Sequence, residues 1–144
     1  MKKINKDDFN SWKEYYWEYQ FQLSKKYYIP LLESININLK NKKILDVGCG
    51  NGGFIYAFKD HDNQLTGIEI KAFDWPKNKQ VNFIVGDITK LIKENSNLIE
   101  NNFDLIILRD VIEHIPSKEK IEFLNTLQKL AHSETKFLIT FPPF

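Results

Sequence analysis

Four carboxylates and an arginine sit where short apolar runs break off: Asp46, Glu69, Asp87 and the pair Arg109-Asp110. The densest break is Asp46-Val47-Gly48-Cys49-Gly50-Asn51-Gly52-Gly53, after which apolar residues resume at Phe54 and Ile55. Strand, glycine turn and helix in succession bring backbone N–H groups and a helix N-terminus close to a ligand. Glycine suits such a turn because it tolerates unusual dihedrals and lets a ligand approach backbone where a Cβ would intrude.

The turn supports two ligand readings. Gly48-x-Gly50-x-x-Gly53 fits the dinucleotide fingerprint G-x-G-x-x-G, while Asp46, Gly48 and Gly50 fit D-x-G-x-G. Charge separates them. A dinucleotide lays an anionic pyrophosphate over the turn, where a carboxylate repels it. S-adenosylmethionine has no phosphate and carries an ammonium and a sulfonium, so Asp46 favours this methyl donor. A nicotinamide-dependent oxidoreductase is therefore the lesser alternative. Cys49, between two glycines, reads as a small packing residue.

The other carboxylates extend the pattern. Glu69 lies 23 residues after Asp46, close to the spacing at which an acidic residue on the second strand accepts from ribose hydroxyls. Asp87 follows the third apolar run and suits the exocyclic amine of adenine, with Ile70 and Ile88 on the ring faces; it also suits a helix N-cap, and the two roles are compatible.

These residues need a scaffold that brings them to one edge. The expected strands are 43–47, 64–70, 81–85, 103–108 and 136–141, alternating with helices at 52–59, after Asp87, and from Ser117 through 131. The last of these has Ile121, Leu124, Leu127, Leu130 and Ala131 inward, with His132 and Ser133 closing it. The fourth strand is almost continuously apolar, as in a parallel strand covered on both faces. Alternation of this kind predicts an α/β fold of right-handed β-α-β units, three layers deep, whose ligands bind outside the carboxyl ends of the strands.

Ahead of the first strand, 7–28 reads as a helix capped by Asp7 or Asp8, with Trp12, Tyr15, Tyr16, Tyr19 and Leu23 on one aromatic face. Pro30 is expected to interrupt it or to open a second helix, because Ile29 is biased away from helical dihedrals. Residues 1–42 are thus expected to form a helical lid and 43–144 a donor-binding domain; packing of the same rings on the sheet is the competing reading. The segment 71–80, with Asp74-Trp75-Pro76, is expected to be short or irregular, and His61 to face solvent.

The 144 residues suffice for one core. A net charge of +1 gives no basic field for nucleic acid. One cysteine excludes an internal disulfide and a cysteine-based metal site. Neither a signal peptide nor a membrane-spanning apolar run is present, so the cytoplasm is the expected location and no membrane is expected as a partner.

Together, ILDVGCGNGG, GIEI, VGDI and FDLIILRDVIEHI resemble the motifs of class I S-adenosylmethionine-dependent methyltransferases over about residues 43–141. The resemblance implies a Rossmann-like sheet of order 3-2-1-4-5, with Asp46, Gly48 and Gly50 at the methionine end and Glu69 at the ribose; Cys49, inside the same motif, counts among the cofactor-binding residues. It places Ile70, Asp87 and Ile88 at the adenine, and Arg109 and Asp110 beside the methyl and sulfonium. The implied cofactor is S-adenosylmethionine, with S-adenosylhomocysteine as product. Strands 6 and 7 of that fold have no counterpart before residue 144, so the expectation is a fragment, or a short form whose bare fifth strand self-associates.

The acceptor is expected to be a small molecule. Methyltransferases acting on nucleic acid bases tend to carry Asn or Asp followed by Pro-Pro-aromatic after strand 4, where this chain has Arg109-Asp110-Val111-Ile112-Glu113-His114; Phe141-Pro142-Pro143-Phe144 follows strand 5 instead. Asp110-x-x-Glu113-His114 is similar to a magnesium-binding cluster of quinone-pathway O-methyltransferases, though a plain helix-opening turn has the same shape, and no metal is assigned. Methyl transfer chiefly requires the acceptor to be positioned and water excluded. For a hydroxyl acceptor, His114 and Asp110 are the candidate catalytic groups. A non-catalytic donor-binding module or partner subunit is the further alternative.

Overall fold

The computed structural model describes residues 4–8, 11–76, 80–94, 97 and 99–143. Five strands form one parallel sheet of order β3-β2-β1-β4-β5. They are β1 (Lys43–Val47), β2 (Gln64–Glu69), β3 (Val81–Val85), β4 (Phe103–Arg109) and β5 (Ala131–Thr140). The expected order holds, and the central strands are buried on both faces as their apolar sequences require: Ile44, Leu45, Ile106, Ile107 and Leu108 have no exposed surface.

The alternating side chains of these strands feed two cores. On one face Leu45, Ile68, Ile106 and Leu108 pack with Phe123, Leu127 and Leu130 of α5 (Lys120–Leu130) and Ile88 of α4 (Ile88–Lys93). On the other, Ile44, Leu65, Leu105 and Ile107 pack with Phe54 and Ile55 of α3 (Gly53–Tyr56) and Leu32 of α2 (Ile29–Ser34). This is a three-layer α/β/α arrangement. Among the described residues, no helix is long and apolar enough to cross a membrane.

The N-terminal segment departs from expectation. The helix α1 spans Trp12–Leu23 and is capped by Ser11, whose Oγ accepts from Glu14 N at 3.2 Å, so neither Asp7 nor Asp8 caps it. Asp7 and Asp8 belong instead to a short 3₁₀ turn. Pro30 does not break the path. The turn before it, Ser24–Tyr28, widens to π geometry, with Ile29 N donating to Ser24 O, and Ile29 is helical. Pro30 then falls in the first turn of α2, where its missing N–H costs little. Residues 9–10 and 77–79, in segments expected to be helical and irregular, lie outside the described residues.

The face that α1 packs is also different. Trp17 and Phe21 contact Tyr56 of α3, and Tyr28 meets Phe54 edge-on. Of the expected stripe, Trp12, Tyr16 and Tyr19 are exposed, and Tyr15 and Leu23 are half-buried. The reason is the closeness of α1 to α3: a Cβ on Gly53 would lie 2.5 Å from the Trp17 carbonyl oxygen. Gly53 thus lets the two backbones touch, and that contact fixes which stripe turns inward.

Three C-terminal details correct the sequence reading. Ser117 sits inside a 3₁₀ turn rather than capping α5. The inward face of α5 is Phe123, Thr126, Leu127 and Leu130, while Ile121 and Leu124 are exposed. The strand β5 begins at Ala131, so His132 and Ser133 lie in it. They do so because β4 reaches across. Thr135 Oγ1 donates to Phe103 O at 2.6 Å, and His132 Nε2 meets Asp104 Oδ1 at 2.7 Å beside a register irregularity at Phe103/Leu105. The expected helix 52–59 shortens to Gly53–Tyr56.

Candidate active site

The parallel register brings the ends of β1, β2 and β4 level, since Asp46 is opposite Gly67 and Ile107, and Val47 is opposite Ile68 and Leu108. The chain then turns through Gly48, Gly50 and Gly52, all with positive φ (73°, 55° and 86°). The turn is locked from inside. Gly48 N and Cys49 N both donate to Ile68 O, Gly50 N to Glu69 Oε1, Gly52 N to Cys49 O and Gly53 N to Asn51 Oδ1. Five of its amides are therefore already used. The sequence expectation of backbone N–H groups turned towards a ligand does not hold for these five, and they offer a pyrophosphate no anion nest.

Two further side chains hold this turn that the sequence pattern did not reveal. Trp75 Nε1 donates to Gly50 O at 2.8 Å, and its ring stacks on Phe83 with centroids 4.7 Å apart and planes 3° off parallel. A Cβ on Gly52 would lie 2.5 Å from that Phe83 ring. The only sequence signal for Trp75 was an aromatic next to a proline in a segment without regular structure. Cys49 is buried and packs over Gly67, where an added Cβ would meet its Sγ at 2.8 Å. Burial, followed by the nearby charges of Asp46 and Glu69, drives its thiol pKa up, as befits a packing residue rather than a nucleophile.

The expected site residues gather around two adjoining cavities. The first, about 560 Å³, is lined by Gly48, Glu69, Ile70, Asp87, Ile88 and Arg109, with Asp110 and His114 further round. Glu69 is held by two backbone donors, Gly50 N (3.1 Å) and Ile70 N (2.8 Å). Asp87 caps α4, accepting from Thr89 N (2.9 Å) and Lys90 N (3.4 Å). Ile88 is buried, and Ile70 stands out at 70% exposure. His114 is exposed in its 3₁₀ turn, 3.6 Å from Glu113 Oε1. Among the described residues, no three His, Cys, Asp or Glu side chains come together as a metal-ion group, and this includes Asp110, Glu113 and His114.

The second cavity, about 510 Å³, opens on the other side of the turn. It is lined by Gly48, Cys49 and Gly50 of the turn, by Tyr16, Tyr19 and Tyr28 of the N-terminal segment, and by Arg109, Asp110 and Thr140 at the ends of β4 and β5. Gly48, Arg109 and Asp110 line both cavities. The Arg109 guanidinium lies 3.7 Å from the centre of the Phe54 ring, and its Nη2 donates to Gln20 Oε1 of α1 at 2.5 Å. Asp110 adopts a left-handed φ of 54° and is tied to β5 twice: its N–H donates to Thr140 O (3.1 Å), and its Oδ1 accepts from Thr140 Oγ1 (3.3 Å).

Asp46 lines neither cavity. It lies beneath the turn at 3% exposure. Burial pushes its carboxyl up to about 7 against the lowering influence of Arg109, with a further small rise from Glu69. Burial thus favours the neutral form of this carboxyl, and a nearby cation favours the ionised one. The residues that line the cavities suit S-adenosylmethionine in two respects: a pre-set carboxylate at the tip of β2, and open space over Gly50, where an added Cβ would meet nothing within 4 Å.

Known proteins agree with this fold. The chain is 31% identical over 93 residues to a ubiquinone biosynthesis O-methyltransferase of Coxiella burnetii, a match covering 59% of this chain and 38% of that protein. It is 35% identical over 85 residues to a tRNA U34 carboxymethyltransferase of Nautilia profundicola, covering 56% of this chain and 28% of that one. The chain thus spans less than half the length of either relative. In fold it resembles magnesium protoporphyrin IX methyltransferase from Synechocystis, solved with bound S-adenosylmethionine, at a TM-score of 0.63 and 18% identity over 99% of this chain and 66% of that one. Residues 16–142 match the family described as a methyltransferase domain, and the chain belongs to that family, the class I methyltransferases whose cofactor is S-adenosylmethionine.

Proposed function

We propose that this chain transfers a methyl group to a small-molecule acceptor seated in the aromatic-walled cavity. The observation that carries the reading is the pairing of cavities: one holds the carboxylates suited to ribose and adenine, the other is walled by tyrosines, and Gly48, Arg109 and Asp110 face both. When bound, S-adenosylmethionine supplies an electrophilic methyl group on a sulfonium. In this reading Glu69 holds the ribose hydroxyls, Asp87, Ile70 and Ile88 the adenine, and Asp46 with the Gly48–Gly50 turn the methionine end. The N-terminal segment, 1–42, serves as a lid whose Tyr16, Tyr19 and Tyr28 hold the acceptor and exclude water.

The proton released by a hydroxyl or amine acceptor needs a base. Asp110 is better placed than His114, because it lines the aromatic cavity as well as the first, whereas His114 lines only the first. A net charge of +1 supports a small acceptor over tRNA, since nucleic acid binding rests largely on basic surface. Calorimetric titration with S-adenosylmethionine, S-adenosylhomocysteine and NAD tests the donor: the first two should bind and NAD should not. Tight NAD binding with no response to S-adenosylhomocysteine would overturn the reading. Methyl transfer from labelled donor to a panel of phenols, amines and tRNA tests the acceptor. Transfer to tRNA alone, or donor binding without any transfer, would refute the small-molecule assignment.

A further inference from the structure

We infer that the acceptor is a planar aromatic molecule, a phenol or an arylamine. Its ring is received by Phe141 and Pro142 and its hydroxyl or amine hydrogen by Asp110, with Thr140 as the residue that positions Asp110. The inference rests on the methyl-transfer reading above and names the acceptor class that this reading leaves open.

Three observations carry it. The first is what the end of β5 brings to the second cavity. Thr140, Phe141, Pro142 and Pro143 all line it. The motif Phe141-Pro142-Pro143 therefore enters the site from the strand next to the one that ends at Asp110. Proline has no N–H, so Pro142 and Pro143 offer the cavity apolar rings and no backbone donor for a phosphate or a polyol. Phe141 is 59% exposed and Tyr16 46%, although both line a cavity. Such aromatic surface is best covered by another ring, offset-stacked or edge-on.

The second is the way Asp110 is held. Its left-handed φ of 54° is fixed by two bonds to Thr140: its N–H donates to Thr140 O, and its Oδ1 accepts from Thr140 Oγ1. Neither bond uses Oδ2, and among the described residues no Lys, Arg or His forms an ion pair with this carboxylate. An ionised carboxylate only accepts, so Oδ2 suits the hydrogen of a hydroxyl or an amine. The third observation is charge. Arg109 is the one cationic side chain among the described residues lining this cavity, and Gln20 and the Phe54 ring already engage it. A phosphorylated acceptor would find that single guanidinium next to a carboxylate that repels it. A neutral ring with one polar hydrogen meets no such cost.

One strand end thus serves both needs. Thr140 holds Asp110, and the residues that follow it receive the ring. In the transfer, the acceptor oxygen or nitrogen bonds to the methyl carbon. The methyl carbon–sulfur bond breaks with its electron pair left on sulfur, and the acceptor proton passes to Asp110 Oδ2.

The test is ligand-observed NMR titration of the full chain saturated with S-adenosylhomocysteine, using catechol, trans-cyclohexane-1,2-diol and phosphoethanolamine. Catechol should bind at least about tenfold more tightly than its saturated analogue, the upper worth of an aromatic pair, and phosphoethanolamine should bind more weakly than catechol. Phe141→Ala should bring catechol and the diol within about threefold. With labelled S-adenosylmethionine, Thr140→Val should lower kcat for catechol about tenfold at little change in KM, and Thr140→Ser should restore it. Equal or absent binding of catechol and the diol, a preference that survives in Phe141→Ala, or tighter binding of phosphoethanolamine overturns the inference while small-molecule methyl transfer stands. Catechol bound but not methylated, or an unchanged kcat in Thr140→Val, overturns the roles given to Asp110 and Thr140. If S-adenosylhomocysteine does not bind, or tRNA alone is methylated, the underlying reading fails and takes this inference with it.

Discussion

Asp46→Asn should make the free protein more stable and a poorer receptor for the donor. The carboxyl of Asp46 rises from 3.8 to about 7 on folding, because it is buried beneath the glycine turn. Its folded pKa lies above its unfolded one, so between these values the folded state binds more protons. Stability therefore falls as pH rises from about 4 to about 7, and stays flat above. At about 1.36 kcal/mol per pKa unit, the full cost above pH 7 is at most about 4 kcal/mol. Asparagine keeps the shape and cannot ionise. At pH 7.5 the variant should gain up to that amount, which for a chain of this size is a rise in Tm on the order of 10 °C; near pH 4 the two proteins should match.

Donor binding should move the other way. A cationic group pairs with the ionised form, whose share falls about fivefold between pH 7 and pH 6 for a carboxyl titrating near 7, and wild-type affinity should fall with it. Asp46→Asn should bind more weakly at pH 7 and lose that pH dependence. Thermal denaturation from pH 4 to 8, with and without S-adenosylhomocysteine, measures both effects. A variant less stable than wild type at pH 7.5, or a wild-type stability that does not decline between pH 4 and pH 7, would refute the reasoning.

Glu69→Ala removes the acceptor for Gly50 N and Ile70 N as well as the proposed ribose contact; S-adenosylhomocysteine affinity should drop by about 1–3 kcal/mol in a calorimetric titration. Gly52→Ala would press a Cβ to within 2.5 Å of the Phe83 ring at a φ of 86°. It should destabilise by about 1–3 kcal/mol in urea unfolding, whereas Trp75→Phe should cost about 1 kcal/mol through loss of the bond to Gly50 O. Burial alone would raise the Asp104 carboxyl, but the Lys43 N–H and the His132 ring outweigh it and hold it below its ordinary value. Its contribution is thus complete above the unfolded pKa and lost as pH falls through the folded one, so Asp104→Asn should flatten that part of an acid unfolding curve.

Much of the sheet was readable because the middle of β4, Leu105 to Leu108, is continuously apolar and Ile44, Leu45 and Val47 give β1 its apolar character, as burial on both faces demands. The misreadings share one cause: a local pattern compatible with two answers, decided by a distant contact. Two aromatic stripes run along α1, one through Trp12, Tyr16 and Tyr19 and one through Trp17 and Phe21. Periodicity cannot choose between them; the close approach of Trp17 O to Gly53 does. The polar run from Ala131 to Lys136 resembles a helix end. It becomes strand because Phe103 O and Asp104 on β4 accept from Thr135 and meet His132. At the site, sequence spacing located the carboxylates, since strand ends follow from apolar runs. Trp75 escaped notice because its partner is a backbone carbonyl 25 residues away, which leaves no trace in spacing.

The same contacts tie the N-terminal helix to the strand ends, which links the proposed lid to the proposed donor site. Arg109 at the end of β4 meets Gln20 of α1 and Phe54 of α3, while Gly53, the first residue of α3, receives the α1 backbone. A cation over an aromatic face contributes about 0.5–2 kcal/mol depending on its exposure to water, so the guanidinium is held but not immovable. If it turns towards a bound donor, Gln20 loses its partner, and the helix carrying Tyr16 and Tyr19 loses one of its ties to the strand ends. Donor binding and the width of the aromatic cavity are then linked through Arg109. The linkage is reciprocal: Gln20→Leu, which removes the competing acceptor, should tighten S-adenosylhomocysteine binding if Arg109 serves the donor. Weaker binding in that variant, with the fold intact, would mean that Gln20 orients the guanidinium instead of withholding it.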